Sequence, residues 1–395
     1  MSGGVKQETP EKAADFWFKP STNFDSRLPP SRFVFCSLQS DANNNRMPRE
    51  TSVRPAFQPT VGKEEAAHLQ QEARGRLQSF LEATAVAIYV FGFVFAPFVL
   101  TAFSLLILVC PPLWVLAVPY GVWCFFDGKT PMRGSRFTRF FRTLRLWTYM
   151  ARYFPMKLVK TADFPADRNY IVGCHPHGIL SFSTFLPFCT EAVGFSEAFP
   201  ELERRYAVTL PVQYWFPIRR VLLLLTSTID SEVGAIEHVL QTSEKATVVA
   251  MVLNGAAEAL DPASDCFTLT LKSRKGFVKL ALQNGASLVP SYSFGETSAF
   301  KQILNTEGSW LREFQKAFKC FTGVSLPFFY GCGFLPFRTP ITLVFGRPIH
   351  VPKVAEPTSA QINELHEKYC RELVHLFDAH KQKCGVPRET QLEFF

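Results

Sequence analysis

The 395-residue sequence contains no Cys-x-x-Cys, no His-Glu-x-x-His and no Gly-x-Ser-x-Gly. The first two absences remove the common spaced zinc sites and the helical metallohydrolase motif, and no metal is expected. The third removes the nucleophile elbow of serine hydrolases. Gly323-Val324-Ser325-Leu326-Pro327 and Gly285-Ala286-Ser287-Leu288-Val289 both lack the closing glycine. The ten cysteines are scattered without paired spacing, so a reduced chain without disulfides is expected. The first fifteen residues have no apolar core, so no secretory signal is read there. Internal repeats are also absent.

Charge is missing over one long stretch. The 44 residues from Ala83 to Phe126 carry none, about twice the ~20 needed to cross a bilayer once. Pro97 and Pro111-Pro112 interrupt this block, which reads as two membrane helices joined by a turn. Arg74 and Arg76 precede it; Lys129, Arg133, Arg136, Arg139, Arg142 and Arg145 follow. Cationic flanks on both sides place both ends in the cytosol. A buried pair of core helices is the competing reading.

What is abundant agrees with a lipid setting. Phenylalanine occurs 40 times, and the formal charge is +8. That balance suits an anionic membrane surface or an anionic substrate such as a coenzyme thioester. The basic residues follow no nucleic-acid-binding signature, so no nucleic-acid partner is expected.

Along the chain, residues 1–78 are rich in Pro, Ser, Asn and charge and read as a disordered tail. A two-helix hairpin over 79–127 follows, then a catalytic domain over 128–395. The segment from Ser135 to Arg152 alternates aromatics with arginines, as an interfacial membrane helix or a surface-to-core helix would. Beyond it, strand and helix patterns alternate. Strands are expected at Tyr170–Cys174, Tyr206–Val212, Ala246–Leu253, Phe267–Leu271, Ser287–Phe294 and Ile341–Phe345. Helices are expected after Ser231, from Gly276 to Asn284 with Gly285 as the stop, and behind the capping-box sequence Thr358-Ser359-Ala360-Gln361. Alternation of this kind predicts an α/β sandwich with a mostly parallel sheet. The apolar stretches Val221–Thr226 and Gly323–Phe337 read as core or, for the second, as a lipid-facing loop.

His175-Pro176-His177-Gly178 sits where the first of these strands ends, and α/β sheets place chemistry at such ends. Histidine takes and returns a proton near neutral pH. Gly178 permits a tight turn or a close substrate approach.

The ordered motifs of this chain resemble the type 2 diacylglycerol acyltransferase family, which includes monoacylglycerol and wax-alcohol acyltransferases. The resemblance covers roughly residues 80–395. Its carriers are Tyr153-Phe154-Pro155, His175-Pro176-His177-Gly178, Thr190-Glu191-Ala192 with Gly194-Phe195-Ser196, and Gly255-Ala256-Ala257-Glu258-Ala259-Leu260. Arg274-Lys275-Gly276-Phe277-Val278-Lys279-Leu280-Ala281-Leu282, Leu288-Val289-Pro290 and Phe294-Gly295-Glu296 complete it. The resemblance implies an endoplasmic-reticulum enzyme, also compatible with lipid droplets, whose catalytic domain faces the cytosol. Such an enzyme moves a fatty acyl group from acyl-CoA, its co-substrate, to a neutral-lipid hydroxyl without a cofactor. Diacylglycerol is the leading acceptor; monoacylglycerol, a fatty alcohol, or an inactive membrane scaffold are the alternatives. A homo-oligomer is compatible with the sequence.

The resemblance puts catalysis on the histidine motif. His175 is expected as the general base and His177 as the orienting or stabilising group, an order open to reversal. Donors for the oxyanion would come from backbone N–H groups at the Gly178 turn or from the second histidine. Glycerol-phosphate acyltransferases carry an aspartate five positions after the histidine; here Leu180 stands there, and Glu191 is the candidate partner. Arg274, Lys275 and Lys279 are expected to hold coenzyme A phosphates or lipid headgroups, or to form a solvated basic face. Glu258 and Glu296 follow strands and would line the cleft or pair with Arg274. Asn254, Cys332, a shortened 333–340 stretch and a glycine-poor 222–228 segment depart from the family pattern.

Overall fold

The computed structural model describes residues 61–395 apart from 137, 217–218, 243–245, 254–266, 304–308, 311, 316 and 318–327, and without the side chains of 61–73 and 108. Residues 1–60 of the expected tail, Asn254, Glu258 and positions 323–327 lie outside the described residues. The described chain from Ser79 onward forms one compact unit; residues 20–78 belong to a second.

The chain is helical from Val61, inside the segment expected to be a disordered tail. Helix α1 (Val61–Val90) begins with Val61-Gly62, but Lys63 to Arg74 is made almost wholly of Lys, Glu, Ala, Leu, Gln and Arg, strong helix formers that outweigh its polar composition. A π-helical turn (Phe91–Phe95) leads into α2 (Ala96–Val109). Pro97 has no N–H to offer the Phe93 carbonyl four residues back, and Arg219 Nη1 donates to that oxygen at 2.7 Å. Extended backbone at Cys110 and the two prolines after it end α2; α3 (Trp114–Phe126) follows. Among the described residues one helical stretch is long and apolar enough to cross a membrane, Arg74–Ile107. The 13 residues of α3 extend only ~20 Å, short of a ~30 Å hydrocarbon core.

Ser135 to Arg152 is not one interfacial helix. It divides into α4 (Arg139–Arg142) and α5 (Arg145–Tyr153), and α5 buries Trp147, Met150, Ala151 and Tyr153 against the end of α1. The surface-to-core alternative describes α5; Phe140 stays exposed.

The rest alternates strand and helix: β1 (Lys157–Lys160), β2 (Tyr170–His175), α6 (Phe182–Cys189), α7 (Phe195–Ala198), β3 (Arg204–Thr209), α8 (Arg219–Leu225), β4 (Thr228–Asp230), α9 (Val233–Thr242) and β5 (Thr247–Val252). Then come β6 (Thr268–Leu269), α10 (Gly276–Asn284), β7 (Ser287–Phe294), β8 (Lys301–Gln302), β9 (Phe329–Tyr330), β10 (Thr342–Phe345), α11 (Ser359–His380) and β11 (Glu393–Phe394). Seven strands form one sheet in the order β1-β10-β7-β2-β5-β3-β4, parallel throughout except between β10 and β7. The expected strand at Phe267–Leu271 lies apart, with β6 pairing β11. Val221–Thr226 lies largely in α8, with Leu224 buried and Leu222 exposed.

Every residue of β2 and of β7 is buried, as central strands covered on both faces must be. Ile171 joins the core beneath α9, α10 and α11, whereas Tyr170, Val172 and Cys174 join the core on the opposite face. This two-residue alternation aims His175 at α11. The capping box of α11 forms as expected: Gln361 N–H donates to Thr358 Oγ1 and Thr358 N–H to Gln361 Oε1.

Candidate active site

The two histidines of the motif occupy different environments. His175 ends β2 and is fully buried. Its Nε2 lies 3.0 Å from the Tyr369 hydroxyl of α11. That hydroxyl donates in turn to the Gly173 carbonyl at 3.4 Å, so the phenolic oxygen accepts from His175 Nε2–H. Gly173 makes the room: a Cβ there would lie 2.0 Å from the Tyr369 hydroxyl. Burial pushes the Tyr369 phenol well up, so it stays protonated at neutral pH. The Phe277 ring of α10 packs edge-on against Tyr369 at 4.9 Å.

His177 is half-buried, one step beyond the cis His175–Pro176 peptide. Its Nδ1 lies 2.7 Å from the Gly178 carbonyl. A carbonyl only accepts, so Nδ1 carries the proton, and in the neutral ring the lone pair falls on Nε2. Burial lowers the pKa of His177, which favours that neutral ring, while the bond to Gly178 opposes the shift.

Glu296 supports the turn from below. Its carboxylate is buried and accepts from Phe182 N–H at 2.8 Å and Ser183 N–H at 3.0 Å, the opening amides of α6. Those amides have no partner within their own helix, and a carboxylate is favoured at a helix N-terminus. Gly178 has φ +60°, and a Cβ there would come 2.7 Å from Glu296 Cγ. Backbone conformation and packing therefore both call for glycine. Burial pushes the Glu296 carboxyl up to about 7 against the lowering effect of the two amides. Ser181 Oγ closes the turn by donating to the His177 carbonyl at 2.9 Å. Glu296 was expected to line the cleft or to pair with Arg274; its carboxylate instead holds backbone.

Glu191, the candidate partner for a histidine, is engaged elsewhere. Its carboxylate takes bonds from Arg142 Nε at 3.3 Å, from Arg205 Nη2 and from Ser196 Oγ at 2.7 Å. Both guanidinium groups are fully buried, and Arg205 also covers the Phe195 ring at 4.6 Å. Two buried cations need a carboxylate beside them, which accounts for Glu191 without an imidazole.

Arg274 and Lys275 stand at the start of α10, half-buried; Lys279 is exposed one turn on. Lys275 Nζ donates to Asn363 Oδ1 of α11 at 2.7 Å. Lys275 also lines a groove of about 620 Å³, together with Lys272 and Arg371, which the sequence reading passed over. Tyr369 was legible only as an apolar position on a helix face; no local signal marks its hydroxyl as the partner of His175.

Comparison with known proteins matches this sequence to one family. Residues 106–395 match the family described as Diacylglycerol acyltransferase. The 2-acylglycerol O-acyltransferase 1 of Bos taurus is 43% identical over 290 residues, covering 71% of this chain and 86% of that protein. The Diacylglycerol O-acyltransferase 2 of Danio rerio is 40% identical over 296 residues, covering 73% and 82%. Its counterpart in Homo sapiens is 38% identical over 328 residues, covering 81% and 84%. Among solved structures, the 1-acyl-sn-glycerophosphate acyltransferase of Thermotoga maritima superposes with a TM-score of 0.36 at 12% identity, covering 78% of this chain and 97% of that one. The chain belongs to the diacylglycerol acyltransferase family and is an acyltransferase.

Proposed function

We propose that this chain transfers a fatty acyl group from coenzyme A to the free hydroxyl of diacylglycerol, at the cytosolic face of the endoplasmic-reticulum membrane, with His177 as general base. The observation carrying this reading is the 2.7 Å contact between His177 Nδ1 and the Gly178 carbonyl, which gives Nε2 the lone pair. The roles expected for the two histidines are thereby exchanged. His175, sealed in the core on Tyr369, positions the turn; His177, half-buried, meets the acceptor.

In this mechanism Nε2 of His177 takes the hydroxyl proton as the acceptor oxygen attacks the thioester carbonyl. The tetrahedral oxyanion collapses, the carbon–sulfur bond breaks, and the coenzyme A thiolate recovers the proton. General-base help of this kind contributes typically ~10²–10⁴-fold. Backbone N–H groups of the turn that opens at Gly178 are the proposed oxyanion donors.

The membrane reading draws on two adjacent arginines. Arg219 holds the Phe93 carbonyl, and Arg220 Nη2 donates to Asp127 at both its carbonyl, 2.5 Å, and Oδ2, 3.1 Å. The apolar chain therefore departs and returns at one place, as a hairpin entering and leaving by the same face does. Phe125, Phe126 and Phe334 are about four-fifths exposed, a surface suited to acyl chains.

A second reading, transfer to monoacylglycerol, is favoured by the 43% identity to 2-acylglycerol O-acyltransferase 1. Washed membranes containing the chain, given labelled acyl-CoA with diacylglycerol, monoacylglycerol or fatty alcohol in separate reactions, decide between them. Triacylglycerol as the main product is expected; diacylglycerol formed from monoacylglycerol alone selects the second reading. No ester from any acceptor refutes both.

A further inference from the structure

The groove beside α11 lies on a different face of that helix from Tyr369. Lys272, Lys275 and Arg371 contribute three cations to its wall, with His375 next to Arg371. Val374 and Phe394 give it apolar surface. Glu367, 3.9 Å from Arg371 Nη1, is the single carboxylate among the lining residues, so the wall keeps a positive balance. At about 620 Å³ the groove falls inside the ~300–1,000 Å³ range of small-molecule sites.

Two helices tie this groove to the histidine turn. Helix α11 carries Arg371, Val374 and His375 on the groove side and the Tyr369 hydroxyl on the side facing His175. Helix α10 starts directly after Lys275, and its Phe277 packs on Tyr369. Lys275 is fixed to α11 through Asn363. The lining suits a ligand that is polyanionic and carries a flat apolar body.

We propose that this groove binds the nucleotide end of coenzyme A, with the adenosine 3′-phosphate and the diphosphate on Lys272, Lys275 and Arg371 and the adenine against Val374 and Phe394. The proposal rests on the acyl-CoA reading above and adds the place where that co-substrate is held. Phosphate groups are bound by ammonium and guanidinium donors, and an adenine ring stacks on an aromatic side chain. An anionic phospholipid headgroup offers the same phosphate chemistry without the purine, and the test separates the two.

The full-length chain in detergent is titrated with adenosine 3′,5′-bisphosphate by calorimetry, without turnover. The wild type is expected to bind, and Lys272→Glu with Arg371→Glu to weaken binding by about tenfold or more. In turnover, that double variant is expected to raise KM for acyl-CoA by a similar factor, leaving kcat and the acceptor KM in place. It should also lose the wild type's preference for acyl-CoA over its 3′-dephospho form. Lys383→Glu, an exposed change of the same charge elsewhere, should match the wild type. The single variants Lys272→Gln and Arg371→Gln carry the same test should the double variant fail to accumulate. Undetectable wild-type binding, or equal binding by the variants, overturns the proposal. So does an unchanged acyl-CoA KM accompanied by lost adhesion to phosphatidylserine vesicles, which assigns the groove to lipid headgroups. Bisphosphate binding lost in the variants, in a chain that transfers no acyl group to any acceptor, upholds the groove while refuting the transfer reading.

Discussion

The hydroxyl of Tyr369 stands 3.0 Å from Nε2 of His175, and the two residues are 194 positions apart in sequence. One ring belongs to the central strand and the other to the last long helix, so docking of α11 sets the orientation of the strand end that leads into the proposed base. A hydroxyl removed from a buried pair leaves its partner without that bond, at a penalty of about 1–3 kcal/mol. Tyr369→Phe is therefore expected to lower the unfolding midpoint by several degrees in a detergent thermal-shift assay, and to lower kcat more than either KM. An unchanged midpoint and kcat would show that the contact positions nothing.

Glu296 gives the structure a pH-dependent term with a definite sign. Its carboxyl is pushed up to about 7 when folded, against ~4.3 in an unfolded chain. Between these values the folded state holds more protons than the unfolded state, so unfolding free energy falls as pH rises. The contribution is complete below about pH 4 and is lost as pH climbs through 7, amounting to about 4 kcal/mol at most. Glu296→Gln removes the titrating group, and thermal midpoints measured from pH 5 to 8 should decline less steeply than in the wild type. Parallel pH profiles for the two proteins would contradict this assignment.

The two buried guanidinium groups on Glu191 predict a defect in stability rather than in chemistry. Removing the carboxylate strands two desolvated cations, and breaking such a buried pair costs about 3 kcal/mol or more. Glu191→Ala is expected to accumulate poorly and to unfold earlier in limited proteolysis. The molecules that do fold should keep the wild-type KM values and pH–rate profile. A shifted pH–rate profile would return Glu191 to the role of histidine partner.

Much of the scaffold is readable from local patterns. The strand at β7, the helix at α10 with its Gly285 stop and the capping box of α11 depend on neighbours within a few residues, and the sequence displays those neighbours directly. The strands β1 and β4, four and three residues long, are too short to establish an alternation and went unread. The helix from Val61 was masked by polar composition that suits a tail and a solvated helix equally well. The site divides along the same line. His175, His177 and Gly178 are contiguous and stand out as a motif. The partners of Glu191 come from α4 and β3, and those of His175 and Glu296 from α11 and α6; only the fold brings them together. The β2 pleat turns His175 inward, a direction that the tetrapeptide alone does not reveal, and the proposed exchange of the two histidine roles rests on it.

Acyl transfer by His177→Gln and His175→Gln, measured in parallel on the full-length chain with matched expression, tests the proposed base most directly. His177→Gln should lower kcat by ~10²–10⁴-fold while the unfolding midpoint and acyl-CoA KM hold; His175→Gln should act chiefly by lowering that midpoint. A His177→Gln enzyme turning over within a few-fold of the wild type would contradict the assignment of His177 as the base.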